Sequence, residues 1–281
     1  MNEKRPLFCD TGLAERIERA EARLISEAGE AARHRAGGPK GFVIPIAGGV
    51  ATFVEEGSPL NKVAGLGFAG VPGADALDEV ERAFFECGSP VQVELSNLAD
   101  QEIGVLLTGR RYRLVSYENV LGLSLENASV PDMPSGVEVR PSGDEEFDVW
   151  LDVVVEGFAH PDAQGVPSHE EFPREILEKV VRDMAAVGVT RYLATRSGVP
   201  AGGASVRLAD GIAQLAGAAT APAHRRRGVQ TALLSARLAD AASAGCDIAV
   251  VTTQPGSKSQ QNVQRAGFDL LYTRAILVKE P

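Results

Sequence analysis

The sequence predicts an α/β protein built from two tandem halves, each a mixed sheet with helices on both faces. Three observations predict it. Strand-like apolar runs alternate with amphipathic helical segments along the whole chain. A polar stretch at 126–136, with Pro131 and Pro134, reads as a linker near the middle. The series of elements before the linker is repeated after it, at a nearly constant distance. The expected division is residues 1–130 and 131–281.

In the first half, Leu13, Ile17, Ala20, Leu24 and Ile25 recur near helical spacing and predict a helix over 11–36. Gly37, Gly38 and Pro39 stop it. Runs at 42–46 and 50–54 flank Gly48 and Gly49 as a hairpin would, and 63–69 reads as another strand. Pro72 to Asp75 break that run and open a helix over 76–87, where Leu77, Val80, Phe84 and Phe85 share a face. A strand at 91–95, a helix over 98–109 and a strand pair over 112–125 complete the half. The second half opens with a strand at 137–140 and helices over 144–157 and 170–187. Pro161, Gly165 and Pro167 make a loop of 160–169. Strands at 190–196, 203–208 and 212–220 follow, then a helix over 228–244, a strand at 248–253, a helix over 257–266 and a strand or strand pair at 269–279. Val91 and Ile248, Tyr112 and Phe268, and Tyr117 and Tyr272 are 157, 156 and 155 residues apart, which points to duplication.

Charge and composition narrow the function. The chain of 281 residues has a net charge of -10, and a nucleic-acid binder usually carries a basic footprint, so no nucleic-acid partner is expected. No apolar run approaches the ~20 residues of a membrane span, and no apolar segment of a signal peptide follows Met1–Arg5. Cys9, Cys87 and Cys246 are too scattered for a disulfide framework or a zinc site. A cytoplasmic protein without a metal or a membrane partner is the expectation.

The most informative segment is 220–234, Thr-Ala-Pro-Ala-His-Arg-Arg-Arg-Gly-Val-Gln-Thr-Ala-Leu-Leu. Pro222 ends an apolar strand, and Gly228 opens a helix with apolar Ala232, Leu233, Ala236, Leu238 and Ala239. A helix N-terminus offers free backbone N–H groups and about half a positive charge. Gly228 lets the backbone approach a ligand closely. Arg225, Arg226 and Arg227 add fixed charge and forked donors. Together they form an anion site that suits a pyrophosphate.

Here the chain resembles the GNAT superfamily of acyl-CoA-dependent N-acyltransferases, whose signature is Arg/Gln-x-x-Gly-x-Gly/Ala between a strand and a helix. This chain has Arg225-Arg226-Arg227-Gly228-Val229-Gln230, and Ala266-Gly267-Phe268 is similar to the family's Leu-Gly-Phe after the last helix. The likeness runs over 137–279 and makes the first half a degenerate GNAT-like domain without a phosphate loop. The resemblance implies acetyl-CoA as co-substrate. Its pyrophosphate would lie on the backbone N–H groups of Arg226, Arg227, Gly228, Val229, Gln230 and Thr231, and its pantetheine on the backbone of Ala218, Ala219 and Thr220. Gln230 stands where the family has Gly or Ala. Asn262, three residues from Ser259 on one helix face, is a further candidate to hydrogen-bond CoA.

Acid–base groups depart from the family pattern. The usual Glu of the motif strand is Gln214 here, able to orient a water but not to take a proton, and the usual Tyr near the last helix is Val263. His160 and His169, flanked by Glu156 and Asp162, lie where the family shapes its acceptor site, and a histidine suits a general base. Gln214 and His160 are therefore the catalytic candidates. His224 is assigned to shaping the phosphate site, and Trp150 and Tyr192 to the core. The function expected is acetyl transfer to a primary amine of a small molecule or peptide, with a homodimer compatible with it. The alternative is a non-catalytic acyl-CoA-binding or sensing protein. A nucleotide module is disfavoured, because the loop lacks the Gly-Lys-Ser/Thr and Gly-x-Gly-x-x-Gly patterns.

Overall fold

The computed structural model describes residues 6–36, 41–126, 133–160, 164, 166 and 172–281. Most of the linker, and His169 and Asp162, lie outside them. Helix α1 (Thr11–Ala36) starts where Leu13 N donates to Asp10 Oδ1 at 2.8 Å, and buries Ile17, Leu24, Ile25, Ala28 and Ala32. Strands β1 (Phe42–Ile46) and β2 (Gly49–Phe53) form the hairpin, with the left-handed turn at Ala47 and Gly48. Then come β3 (Lys62–Ala64), α2 (Ala74–Glu86), β4 (Val91–Ser96), α3 (Gln101–Gly109) and β5 (Arg113–Ser124), the last a single strand where a pair was expected. The second series is β6 (Glu138–Ser142), α4 (Phe147–Ala159), α5 (Arg174–Ala186), β7 (Val189–Arg196), β8 (Val199–Ala209), β9 (Ile212–Thr220), α6 (Val229–Ser243), β10 (Ile248–Thr253), α7 (Lys258–Arg265) and β11 (Asp269–Lys279).

Two compact units divide these elements, and each draws on both halves of the sequence. One comprises residues 1–7, 120–166 and 188–270; the other comprises 8–119, 167–187 and 271–281. The strands of the second run β1-β2-β3-β4-β11-β5, and those of the first β5-β10-β9-β8-β7-β6, with β5 contributing to both. β11, the closing strand of the second series, pairs antiparallel with β4 from Lys279↔Val91 to Arg274↔Ser96. The chain after β5 in turn bonds beside β10, Leu125 N to Asp247 O at 2.8 Å. The two series have thus exchanged their last strands. A fragment starting at residue 127 would lack the strand that completes the first unit.

In the unit of 8–119, strand β3 is shorter than expected because Gly65 and Gly67 take φ of +79° and +99°. A Cβ on Gly67 would lie 2.4 Å from Ala99 Cβ, and Asp100 N donates to Gly67 O at 3.0 Å. The chain's own turn after β4 therefore fills the place beyond the single β3–β4 pair, Val63↔Val93. Helix α5 belongs to this unit: Arg35 grips Asp183 through two bonds of 2.8 and 2.9 Å, and Val180 and Met184 pack beside Ile25 and Ala28 of α1.

The same unit buries a charge network. Arg274, 2% exposed, donates to Glu18 at 2.7 Å and lies 3.5 Å from Glu94 and 4.0 Å from Glu118. Tyr272 OH also donates to Glu18, at 2.7 Å, and Lys62 pairs with Glu94 at 2.5 Å. Burial pushes the Glu118 carboxyl up, the charge of Glu94 adds to it, and Lys62 and Arg274 offset only part, leaving its pKa at about 7. A carboxyl that binds its proton more tightly when folded makes stability fall as pH rises from 4.5 through 7. Burial raises Glu18 in the same sense. Glu118→Gln should therefore raise the thermal midpoint at pH 8 while barely changing it at pH 5, with an effect on the order of 2–3 kcal/mol at the alkaline end. A wild-type midpoint that rose between pH 5 and 8, with Glu118→Gln flattening that rise, would contradict it.

Candidate functional site

The site lies in the unit of 120–166 and 188–270, where β9 and β10 part. They pair in parallel from Ile248↔Ile212 to Val251↔Leu215 and no further, although β9 runs on to Thr220. On its other edge β9 stays paired with β8 as far as Gly202↔Thr220. Between Ser205↔Ala216 and Gly203↔Ala219, β9 spends three steps against two of β8, a bulge that puts Gly217 at φ +58°. Ala216 and Gly217 are exposed where neighbouring residues of the strand are buried. The β10-facing backbone of 216–220 thus lines a V-shaped opening.

Arg237 on α6 holds that bulge. The guanidinium is 2% exposed and donates from Nη1 to Ser205 O at 3.0 Å and Ala216 O at 3.4 Å, and from Nε to Leu233 O at 3.0 Å. Burial lowers its pKa to about 10, so the charge persists at neutral pH.

At the end of β9 the chain turns through Pro222–His224 and the three arginines into α6. Arg226 takes φ +60° and Gly228, the N-cap, +82°. The first helical bond is Ala232 N to Gly228 O, so the amides of Val229, Gln230 and Thr231 precede the hydrogen-bonded ladder. Alternating left-handed residues and a helix start make a concavity of N–H groups, suited to an anion. Arg226, Arg227 and Thr231 are exposed and Gln230 is half-buried. Gly228 is under a second constraint: a Cβ there would meet Pro134 Cβ at 2.7 Å. A large side chain there, as in Gly228→Trp, would disrupt the loop itself.

Four buried polar atoms at this end of the unit have no hydrogen-bond partner among the described residues: Thr220 Oγ1, His224 Nδ1, Thr253 Oγ1 and Gln254 Oε1. Thr253 is 5% exposed. A buried polar atom left so costs about 1–3 kcal/mol, and a polar ligand lying along the opening would offset it. Thr253 and Gln254 were not legible as site residues; their signal is the polar end of an otherwise apolar strand.

The remaining candidates fall around the opening. Ala218 and Thr220 are half-buried and Ala219 is buried on the parted segment of β9. Gln214 lies below it, 7% exposed, level with Val250 of β10 and Arg207 of β8. Val263 is in the core, as are Trp150 and Tyr192. Asn262 is half-buried on α7, whose N-cap is Ser257, accepting from Gln260 N at 3.1 Å. His160 caps α4 and is exposed, and its Nδ1 lies 3.0 Å from Glu156 O. A carbonyl can only accept, so Nδ1 carries the hydrogen and Nε2 of the neutral ring keeps its lone pair. Arg225 extends away from the start of α6, to Gly157 O at 3.3 Å and to His160 O.

Residues 138–258 match the model of the acetyltransferase (GNAT) domain family. A GCN5-related N-acetyltransferase from Kribbella flavida is similar in fold, with 21% identity over 92% of this chain and 95% of that one and a TM-score of 0.64. A GCN5-related N-acetyltransferase from Sphaerobacter thermophilus shares 17% identity over 93% and 91%, with a TM-score of 0.57. A tandem GNAT protein from the clavulanic acid biosynthesis pathway shares 14% over 98% and 97%, with a TM-score of 0.60, so the two-unit fold is one that tandem GNAT proteins adopt. No curated protein matches the sequence. The family's chemistry is acyl transfer from acyl-CoA. Among the described residues no helix is long and apolar enough to cross a membrane.

Gly228→Ala tests the phosphate loop as built. A methyl group at φ +82°, pressed on Pro134, should cost about 1–2 kcal/mol in thermal or chemical unfolding. Unchanged stability would contradict the loop geometry.

Proposed function

We propose that the GNAT domain at residues 138–258 transfers an acetyl group from acetyl-CoA to a primary amine of a small molecule or peptide, in the cytoplasm. The parting of β9 from β10 beside an amide-lined helix start carries this reading. In it, the amides of Arg226, Arg227, Gly228, Val229, Gln230 and Thr231 receive the pyrophosphate. The unpaired edge of Ala218, Ala219 and Thr220 receives the amides of pantetheine. Thr253 Oγ1, Gln254 Oε1 and Asn262 offer side-chain partners across the opening. The residues present fit the group: small side chains line the parted strand, and Thr220 Oγ1, Thr253 Oγ1 and Gln254 Oε1 have no partner among the described residues.

Acetyl-CoA, when bound, supplies a thioester carbonyl open to attack by a neutral amine. The chain's part is to hold that carbonyl beside the acceptor and to take a proton from the amine. In this reading His160 takes the second task, with Nδ1 engaged with Glu156 O and Nε2 left to accept. Its helix end touches the open strand: a Cβ on Gly157 would lie 2.7 Å from Ala219 Cβ and 3.3 Å from the backbone N and O of Thr220. Gln214 serves as an orienting group beneath the opening. The division into ancestral repeats at about residue 130, and a homodimer, belong to the same proposal.

A binding or sensing protein without turnover is the second reading. It is favoured by Gln214 and Val263, buried where the family has its Glu and Tyr. Calorimetry with acetyl-CoA, alongside thiol release with pooled amines, separates the two. Amine-dependent release supports transfer, and tight binding without release under every amine supports sensing. His160→Gln should lower kcat about 100-fold while leaving acetyl-CoA affinity within a fewfold; unchanged kcat would remove His160 from the chemistry.

Thr253→Val tests the orphaned hydroxyl. It should stabilise the free protein by about 1 kcal/mol, since an isosteric methyl relieves a buried unpaired group, and weaken acetyl-CoA binding severalfold. A variant that is both less stable and equally avid would show that Thr253 has a structural partner instead.

A further inference from the structure

The first arginine of the phosphate loop serves the end of another helix. Helix α4 finishes at Ala159, and its last carbonyls have no partner within the helix. Glu156 O is taken by the His160 ring at 3.0 Å, whereas Gly157 O and His160 O are both taken by Nη2 of Arg225. A guanidinium at a helix C-terminus also meets the negative end of the helix dipole. The same turn rests on the open strand, because Gly157 has no Cβ to hold it off Ala219 and Thr220. Farther along, Val166 N donates to Pro255 O at 3.3 Å, just beyond the end of β10. The α4 terminus is therefore tied to the phosphate loop through one side chain and to the β9 wall by close packing.

We propose that Arg225 is a positioning residue that couples the phosphate loop to the α4 terminus carrying His160, so that an anion held by the loop orders that terminus. The proposal rests on the reading of the loop as the acyl-CoA site. The loop backbone on either side of Arg225 is what a pyrophosphate would immobilise, and the guanidinium passes that constraint to two carbonyls of α4. Linkage makes the effect reciprocal: whatever fixes the α4 terminus favours the loop conformation that binds the anion. The role differs from that of a phosphate ligand, since Nη2 of Arg225 is turned to Gly157 O and His160 O of α4.

Amide hydrogen exchange on the full chain, with and without saturating CoA, tests it. In the wild type CoA should slow exchange in peptides covering 222–234 and also in those covering 150–160. In Arg225→Met, CoA should lose less than tenfold in affinity by calorimetry, the loss expected from one missing charge and the reciprocal coupling, and should protect 222–234 alone. Arg225→Lys, which can reach one carbonyl at a time, should restore part of the protection at 150–160 and stands in if the Met variant does not fold. A tenfold or greater loss of CoA affinity in a folded Arg225 variant would make Arg225 a phosphate ligand and overturn the proposal. So would undiminished CoA protection of 150–160 without the guanidinium. Wild-type protein that does not bind CoA would overturn the underlying reading of the loop, and the coupling with it.

Discussion

The parting of β9 from β10 is the constraint on which the site depends, and a buried arginine holds it. Two parallel strands would ordinarily stay in register to their ends. Here β9 inserts an extra residue against β8 at Gly217, and Arg237 bonds the carbonyls of Ser205 and Ala216 beside the bulge. The bulge bends β9 away while its β8 edge remains paired. One strand thus gains a backbone edge free to meet a ligand without weakening the sheet behind it. The turn after Thr220 then brings a row of helix-start amides to the mouth of the same opening.

The two units differ in their chemistry. In the unit of 8–119 the corresponding place is filled by Ala99 and bonded through Asp100, and α2 begins with Gly73, Ala74 and Asp75 where α6 follows three arginines. An acidic first turn repels phosphate. Polar character in that unit is directed inward instead, into the network of Arg274, Glu18, Lys62, Glu94 and Glu118. That arrangement ties its stability to pH.

Much of the architecture was legible because it is local. Periodicity placed β9, α6, β10 and α7 within a residue or two, and the motif Arg225–Gln230 placed the loop between strand and helix. The strand exchange was not legible. An alternating apolar run such as β5 or β11 states that it joins a sheet and leaves open which one, since side-chain spacing is the same beside any neighbour. Helix α5 is similar: its amphipathic face announces burial, while its partner, α1, is fixed by Arg35–Asp183 and the apolar contacts of Val180 and Met184. At the site, residue types read correctly as loop and strand, but the direction of Arg225 depends on where α4 ends in space. Thr253 and Gln254 gain meaning only through burial without partners.

The central claim is that the open edge of β9 is where acyl-CoA lies. A crystal structure of the protein with CoA tests it most directly. The account predicts pantetheine running beside Ala218, Ala219 and Thr220, its amides bonded to their backbone, with the pyrophosphate on the amides from Arg226 to Thr231. CoA bound elsewhere on the chain, or β9 and β10 found paired to their ends, would contradict it.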